Sequence, residues 1–324
     1  MRVLVAGDHF VTNDLLTAAL RDRLGPHVEP RTLLLPWPLT PYGRVAEVDE
    51  ASGDEDELIV ALAGVEVAVT QMAPFTARVF AAAPDLRLLV VCRGGPVNVN
   101  LAAAEAAGVT VGTTPGRNAV AAAEHTIALM LAALRQIPDR HAGVRAGRWR
   151  SDLYALDQVG GELAGSTVGL VGHGAIGRRV ARILAAFDAR VLVHDPYADV
   201  ASVELGELLE QSTVVSLHAR LTPETERIVG AAELTRLPAG AVLVNTARGG
   251  LLDYAAVADA LESGHLGAAA FDVFDTEPLP ADSRLRTAPR VVLTPHLAGA
   301  TRQTAQRAAT QAADAVAAFM DSSR

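Results

Sequence analysis

The sequence predicts an α/β fold of doubly wound parallel sheets, and three observations carry that prediction. Short apolar runs alternate with alanine-rich helical stretches from the first residues onward, a pattern that implies parallel strands with helices on both faces. Glycines spaced G-x-G-x-x-G, in Gly172-His-Gly-Ala-Ile-Gly177, follow directly on the apolar run Val168 to Val171 and open a helix. The later runs end repeatedly in polar residues, His218, Asn245-Thr246-Ala247-Arg248, Asp272 and His296. In open α/β sheets, ligands bind at that carboxyl edge.

The elements follow in order. Strand 2–6, a helix at about 12–23 and a strand at about 28–34 lead into Pro36-Trp-Pro-Leu-Thr-Pro-Tyr-Gly43, where three prolines forbid regular structure. The acidic stretch Glu47 to Glu57 reads as the approach to a helix beginning near Asp54. Strand 66–70, helix 75–83 and strand 86–91 complete a first βα series. Asn118 to about His141 is the longest helical stretch, apolar on more than one face and so expected to be buried, against a second subunit or within the fold. Glu124 and His125 are adjacent and point to different sides of that helix, which argues for a structural histidine over a metal pair. Gly143 to Gly165 looks irregular. After the glycine motif, strands at 190–194, 213–217, 241–244, 267–271 and 291–294, a helix at 253–263 and a closing amphipathic helix at 299–320 resume the alternation.

Composition narrows the function. At 324 residues the chain suits two domains, each with its own core. Half the residues are hydrophobic and 20% are charged, a globular composition. The net charge of −9, without a basic cluster, argues against a nucleic-acid or anionic-membrane surface. No apolar run approaches the ~20 residues of a membrane span, and the opening Met1 to Gly7 reads as a strand. The one cysteine, Cys92, reads as a small buried hydrophobe and rules out a cysteine-built zinc site, so no metal is expected and the cytoplasm is the default compartment. All 28 basic residues are arginine. Schiff-base and P-loop chemistry both need lysine and are excluded. Any substrate anion must be held by arginine, backbone N–H groups or a helix end.

Each glycine of the motif has a physical task. Gly172 allows the tight turn, Gly174 lets a pyrophosphate approach the backbone at the helix N-terminus, and Gly177 lets the helix pack on the strand. Asp195 ends the next strand, 18 residues after Gly177. A carboxylate there accepts hydrogen bonds from ribose hydroxyls and repels a 2′-phosphate, which points to NAD rather than NADP. At the end of strand 86–91, the turn Arg93-Gly94-Gly95-Pro96 frees consecutive N–H groups, which reads either as a nest for a carboxylate or as an ordinary strand-to-loop turn.

Six segments, in order along the chain, resemble motifs of the D-isomer-specific 2-hydroxyacid dehydrogenase family, phosphoglycerate dehydrogenase-like: Arg93-Gly-Gly-Pro-Val-Asn-Val-Asn100, Gly172 to Gly177, Ser216-Leu-His-Ala-Arg-Leu-Thr-Pro-Glu-Thr225, Asn245-Thr-Ala-Arg-Gly-Gly-Leu-Leu-Asp253, Phe271-Asp-Val-Phe-Asp-Thr-Glu-Pro278 and Thr294-Pro-His-Leu-Ala-Gly299. The resemblance implies hydride exchange between NAD and a 2-hydroxy or 2-keto acid through a catalytic Arg248, Glu277 and His296. It places Gly172, His173, Gly174, Ala175, Ile176, Gly177, Asp195, Pro196, His218, Ala219, Thr246, Ala247, Asp272 and Gly299 along the cofactor, and Arg93, Gly94, Gly95, Arg248 and His296 around the substrate. It also implies two Rossmann-like domains: a smaller, flavodoxin-like and discontinuous substrate-binding domain, 1–97 plus 297–324, around an NAD-binding domain at 98–296. A homodimer built on the long helix after Asn118 is expected.

The chain departs from the family at the substrate loop, where Arg93 adds a charge. It hints at a substrate with a second anionic group, the alternative being that Arg93 pairs with an acidic residue of its own domain. The competing class is a non-enzyme, an NAD-binding corepressor-like scaffold of the same fold. The acidic balance, the lack of disordered tails and the intact substrate loop weigh against it. A formate dehydrogenase is disfavoured because Glu277 stands where those enzymes carry glutamine.

Overall fold

The computed structural model describes residues 2–26, 28, 30–37 and 43–322. Residues 38–42 of the proline-rich loop and Glu29 of the expected strand 28–34 lie outside the described residues. The chain divides into two compact units, Met1–Asn118 with Ala300–Arg324, and Ala119–Gly299.

The first unit begins with β1 (Val3–Gly7), α1 (Asn13–Leu24) and β2 (Arg31–Leu34). A hairpin of β3 (Gly43–Val45) and β4 (Val48–Ala51) precedes α2 (Glu55–Leu62), β5 (Val67–Thr70), α3 (Ala77–Ala82), β6 (Leu88–Val91), α4 (Leu101–Ala106) and β7 (Thr110–Thr113). The parallel sheet runs β2-β1-β5-β6-β7. With the hairpin set aside, this is the 2-1-3-4-5 order of flavodoxin-like folds. The helices start where side-chain oxygens can accept from free N–H groups. Thr12, Asp54, Thr76 and Asn100 cap α1 to α4 in this way.

The second unit opens with α5 (Ala119–Leu134) and α6 (Ile137–Arg145). Its sheet follows from β8 (Thr167–Val171), α7 (Gly177–Ala185), β9 (Arg190–His194), α8 (Leu205–Gln211), β10 (Val214–Leu217), α9 (Ala231–Arg236), β11 (Ala241–Asn245), α10 (Tyr254–Glu262), β12 (Leu266–Phe271) and β13 (Val291–Leu293). The strand order is β13-β12-β11-β10-β8-β9, all parallel. The order reverses between β8 and β10, and there a doubly wound sheet binds its ligand.

The chain then returns to the first unit as α11 (Arg302–Ser322). Ala305, Ala308, Ala312 and Val316 of α11 join Val3, Val5, Val69 and Val90 on one face of the first sheet, while Leu4, Ala6, Leu89 and Val91 face α2 and α3 on the other. The second sheet is likewise covered on both faces. Its α5 side holds Met130, Leu170 and Val244, and its α8–α10 side holds Leu209, Leu243 and Phe271. Cys92 is buried in the first core, and burial pushes its thiol up to about 12.

The helix expected near Asp54 starts at Glu55 behind the Asp54 cap, and the acidic stretch before it forms the β3–β4 hairpin, with Ala46 taking the turn at φ 49. Two expectations are corrected. The long helix ends at Leu134, because Gln136 turns left-handed (φ 49) and Pro138 has no N–H to continue the ladder, so α6 leaves at 66°. The division falls after Asn118 and Gly299, not at 97/98 and 296/297, because β7 pairs with β6, Leu88 to Thr110. Among the described residues no single helix is long and apolar enough to cross a membrane, and no group of acids, histidines or cysteine is arranged to hold a metal ion.

Candidate active site

The loop between β8 and α7 is a glycine-built cradle at the reversal of strand order. Gly172 has φ +99, and a Cβ there would stand 2.6 Å from the Ala219 nitrogen. A Cβ on Gly177 would meet the Gly172 carbonyl at 2.3 Å, so α7 can approach β8 only with glycine at that position. At Gly174 a Cβ would meet nothing within 4 Å: the backbone of Gly174 and Ala175 faces open space at the start of α7, whose free N–H groups suit a pyrophosphate.

Asp195, at the end of β9, accepts from the His173 N–H at 2.7 Å and the Tyr197 N–H at 3.0 Å. Burial raises its pKa, but the hydrogen bonds from His173, Tyr197 and Ala198 outweigh it and hold the carboxyl below its usual range. A fixed negative charge therefore stands beside the cradle, with exposed Pro196 next to it. On the other side His218 follows β10, its Nε2 3.0 Å from Ser216 Oγ. Burial pushes this imidazole down to about 4, so it is neutral near pH 7. The fit of these residues to a dinucleotide is good.

Arg248, Glu277 and His296 stand in the loops that follow β11, β12 and β13. Asn245 folds the loop after β11: its amide donates to the Arg248 carbonyl at 2.9 Å and its oxygen accepts from the Ala247 N–H at 3.0 Å. Arg248 is exposed and extended, its guanidinium anchored to the Ala247 carbonyl at 2.7 Å. The next residue must be glycine, since a Cβ on Gly249 would stand 1.9 Å from the Phe274 carbonyl oxygen. Glu277 Oε1 accepts from the Phe274 N–H at 2.9 Å, which turns Oε2 to His296 Nδ1 at 2.8 Å. His296 has φ 53, an uncommon conformation for a side chain of its size. The hydrogen bond that its Nδ1–H donates to Glu277 raises its pKa, aided by the charges of Glu277 and Asp272. Partial burial and the charge of Arg248 oppose the rise.

Asp272 is fully buried and organises the loop that carries His296. Its oxygens accept from Thr294 Oγ1 (2.6 Å) and from the N–H groups of Leu297 (2.8 Å) and Ala298 (2.7 Å), while its carbonyl accepts from the His296 N–H at 2.8 Å. Burial raises the carboxyl pKa, yet the hydrogen bonds, that of His125 foremost, hold it low. Sequence reasoning missed the role of α5 here. His125 Nε2 lies 3.2 Å from Thr294 Oγ1 and 3.5 Å from Asp272, and Thr126 Oγ1 lies 2.7 Å from Thr246 Oγ1. Both residues read as ordinary helix positions, and only the packing of α5 on the sheet brings them to the strand ends. Gly299 closes the same loop.

Arg93, Gly94 and Gly95 belong to the first unit. Gly94 and Gly95 are exposed at the carboxyl end of β6, with open space around Gly95. Arg93 is not a free second guanidinium: it pairs with Glu50 of the hairpin. The pairing with an acid of its own unit is therefore what the chain adopts.

A glycine cradle at the reversal of strand order, with Arg248, Glu277 and His296 after neighbouring strands, is the arrangement of a doubly wound dinucleotide-binding fold. The chain belongs to the D-isomer specific 2-hydroxyacid dehydrogenase family, whose NAD binding domain matches residues 127–298. It is 40% identical over 293 residues to a D-3-phosphoglycerate dehydrogenase of Mycobacterium tuberculosis, covering 87% of this chain and 54% of that one. The chain thus spans about half the length of the phosphoglycerate dehydrogenases it matches. A glycerate dehydrogenase of Methylorubrum extorquens is 36% identical over 276 residues, 84% of this chain and 88% of its own. A crystal structure of a Thermus thermophilus protein superposes with a TM-score of 0.82 at 34% identity, covering 99% of this chain and 97% of that one.

Proposed function

We propose that this chain interconverts a 2-keto acid and the corresponding D-2-hydroxy acid with NAD(H). The observation that carries the reading is the His296 and Glu277 pair, 2.8 Å apart at a strand-end edge that also bears Arg248. NAD(H), when bound, supplies or accepts a hydride at its nicotinamide. Gly172 to Gly177 would hold its pyrophosphate and Asp195 its adenosine ribose, with Pro196, His218, Ala219, Thr246, Ala247, Asp272 and Gly299 along the rest. Arg248 holds the substrate carboxylate and polarises the carbonyl oxygen, and the exposed turn at Gly94 and Gly95 is the carboxylate nest of the first unit. His296, kept protonated by Glu277, gives its proton to that oxygen during reduction and takes it back in oxidation. The second unit then serves as the cofactor domain and the first as the substrate domain.

The dimer belongs to this proposal with its surface moved. α5 gives Ala123, Ile127, Met130 and Ala133 to the core of its own unit. The segment after it instead exposes Trp149 (83%), Tyr154 (92%) and Leu156 (91%) around a groove of about 430 Å³ lined by Arg140, Val144, Arg148, Trp149, Leu153 and Tyr154. A second copy is the occupant we assign to it. The use of a soluble dinucleotide and a lone buried thiol support a cytoplasmic setting.

The test is NADH oxidation over a panel of 2-keto acids, including glyoxylate, hydroxypyruvate, pyruvate and phenylpyruvate. Turnover of at least one, abolished in Arg248→Ala, is the expected result. No turnover with any of them would overturn the reading.

A further inference from the structure

Arg93 stands directly before Gly94 and Gly95, the residues assigned above to the substrate carboxylate. Its side chain is only 14% exposed, and its charge is already engaged. Nη2 pairs with the Glu50 carboxylate, and Nη1 lies 3.4 Å from the Glu50 carbonyl and 3.3 Å from Met72 Sδ. Carboxylate and carbonyl of one residue therefore grip the same guanidinium. Glu50 does so from φ 48, a left-handed conformation that a non-glycine residue adopts at a cost.

The hairpin that carries Glu50 is fastened on both sides. The Asp49 N–H donates to the Val97 carbonyl at 3.0 Å and the Ser52 N–H to the Met72 carbonyl at 2.9 Å. Glu47 Oε1 accepts from the Ala77 N–H at 2.7 Å and from Asn100 Nδ2 at 2.8 Å. The backbone that carries Glu50 is thus tied to the loops at the carboxyl end of β5 and β6.

We infer that Glu50 is a specificity-determining residue: a built-in carboxylate that consumes the charge of Arg93, so that the site takes 2-keto acids with one anionic group and rejects those carrying a second. The inference rests on the hydroxyacid dehydrogenase reading of the site. A substrate with a phosphate or distal carboxylate has two ways to bind near Arg93. It must break the half-buried Arg93–Glu50 ion pair, or place its own charge against that carboxylate. Both oppose binding, and a substrate with a neutral tail meets neither.

The matched pair of hydroxypyruvate and its 3-phosphate tests this. Glu50→Gln, and Glu50→Ala should the amide fold poorly, is expected to raise the ratio of kcat/KM for the phosphorylated over the unphosphorylated substrate by about tenfold or more. Arg93→Ala alone should not raise that ratio, and the gain should vanish in Glu50→Gln/Arg93→Ala. A ratio unmoved by both Glu50 variants, or a wild-type preference for the phosphate that Arg93→Ala destroys, overturns the inference. Thermal unfolding with inorganic phosphate gives a readout free of catalysis. Phosphate should raise the Tm of Glu50→Gln and not that of the wild type or the double variant, and equal shifts in all three would sink the inference. Should the wild type turn over no 2-keto acid, the activity reading fails while the phosphate titration still decides the role of Glu50.

Discussion

His296 can act as an acid only while protonated, and its pKa is raised chiefly by the hydrogen bond to Glu277. Reduction should therefore hold at low pH and fall as pH rises through the His296 pKa, while oxidation, which needs the neutral ring, should rise over the same interval. Glu277→Gln removes the first cause of the upward shift, so both limbs should move to lower pH in kcat/KM profiles. Limbs that stay in place would mean that another group titrates. His296→Ala should cost about two to four orders of magnitude in turnover. NADH affinity, measured by fluorescence titration, should hardly change. His218, pushed down to about 4, is neutral across this range and cannot take over as a donor of that proton. Asp195 carries a second residue-scale prediction. Its carboxylate is held ionised by three backbone N–H groups, so NADPH should be used far more poorly than NADH. Asp195→Ala should narrow that preference by about an order of magnitude or more. Equal kcat/KM for both cofactors in the wild type would remove Asp195 from that role.

At the scale of elements, the site depends on close approaches that only glycine allows. In Gly249→Ala the new methyl would stand 1.9 Å from the Phe274 carbonyl oxygen, so the loop carrying Arg248 must shift away from the loop carrying Glu277. A loss of about 1–3 kcal/mol in urea unfolding is expected, with a rise in KM larger than the fall in stability alone explains. Unchanged stability and KM would show that the loop has slack. Such contacts divide what the sequence could and could not announce. The cradle was legible because its strand, glycines, helix and acid lie within one short stretch. Arg248, Glu277 and His296 were legible only through the motifs around them, since their meeting depends on β11, β12 and β13 lying side by side. The β3–β4 hairpin was illegible because Glu47, Asp49 and Glu50 are poor strand formers, held there by Val97, Met72 and Ala77 rather than by propensity. Arg93 illustrates the same limit: an arginine before a glycine turn suggests an anion, and only the hairpin shows that the anion is Glu50.

For the molecule as a whole, the exposed aromatic cluster after α6 sets the expected assembly. Trp149→Arg with Tyr154→Arg should convert a dimer into monomers by size-exclusion chromatography with light scattering. Each monomer should keep NADH binding, because the cradle lies elsewhere in the same unit. A wild type that already runs as a monomer at micromolar concentration would end the dimer proposal. The two-domain α/β plan was legible from the alternation of apolar runs and helices. The boundary was not, because β7 is short and only partly buried, and its membership of the first sheet rests on register with β6.

The position of α5 has one more consequence. From neighbouring residues it grips two different strand-end segments, Thr126 on Thr246 and His125 on Thr294 and Asp272. A helix is far stiffer than a loop, so it serves these segments as a common gauge block. The spacing between the loop that carries Arg248 and the loop that carries His296 is set by one rigid part, and two loops that would otherwise drift independently inherit a single tolerance.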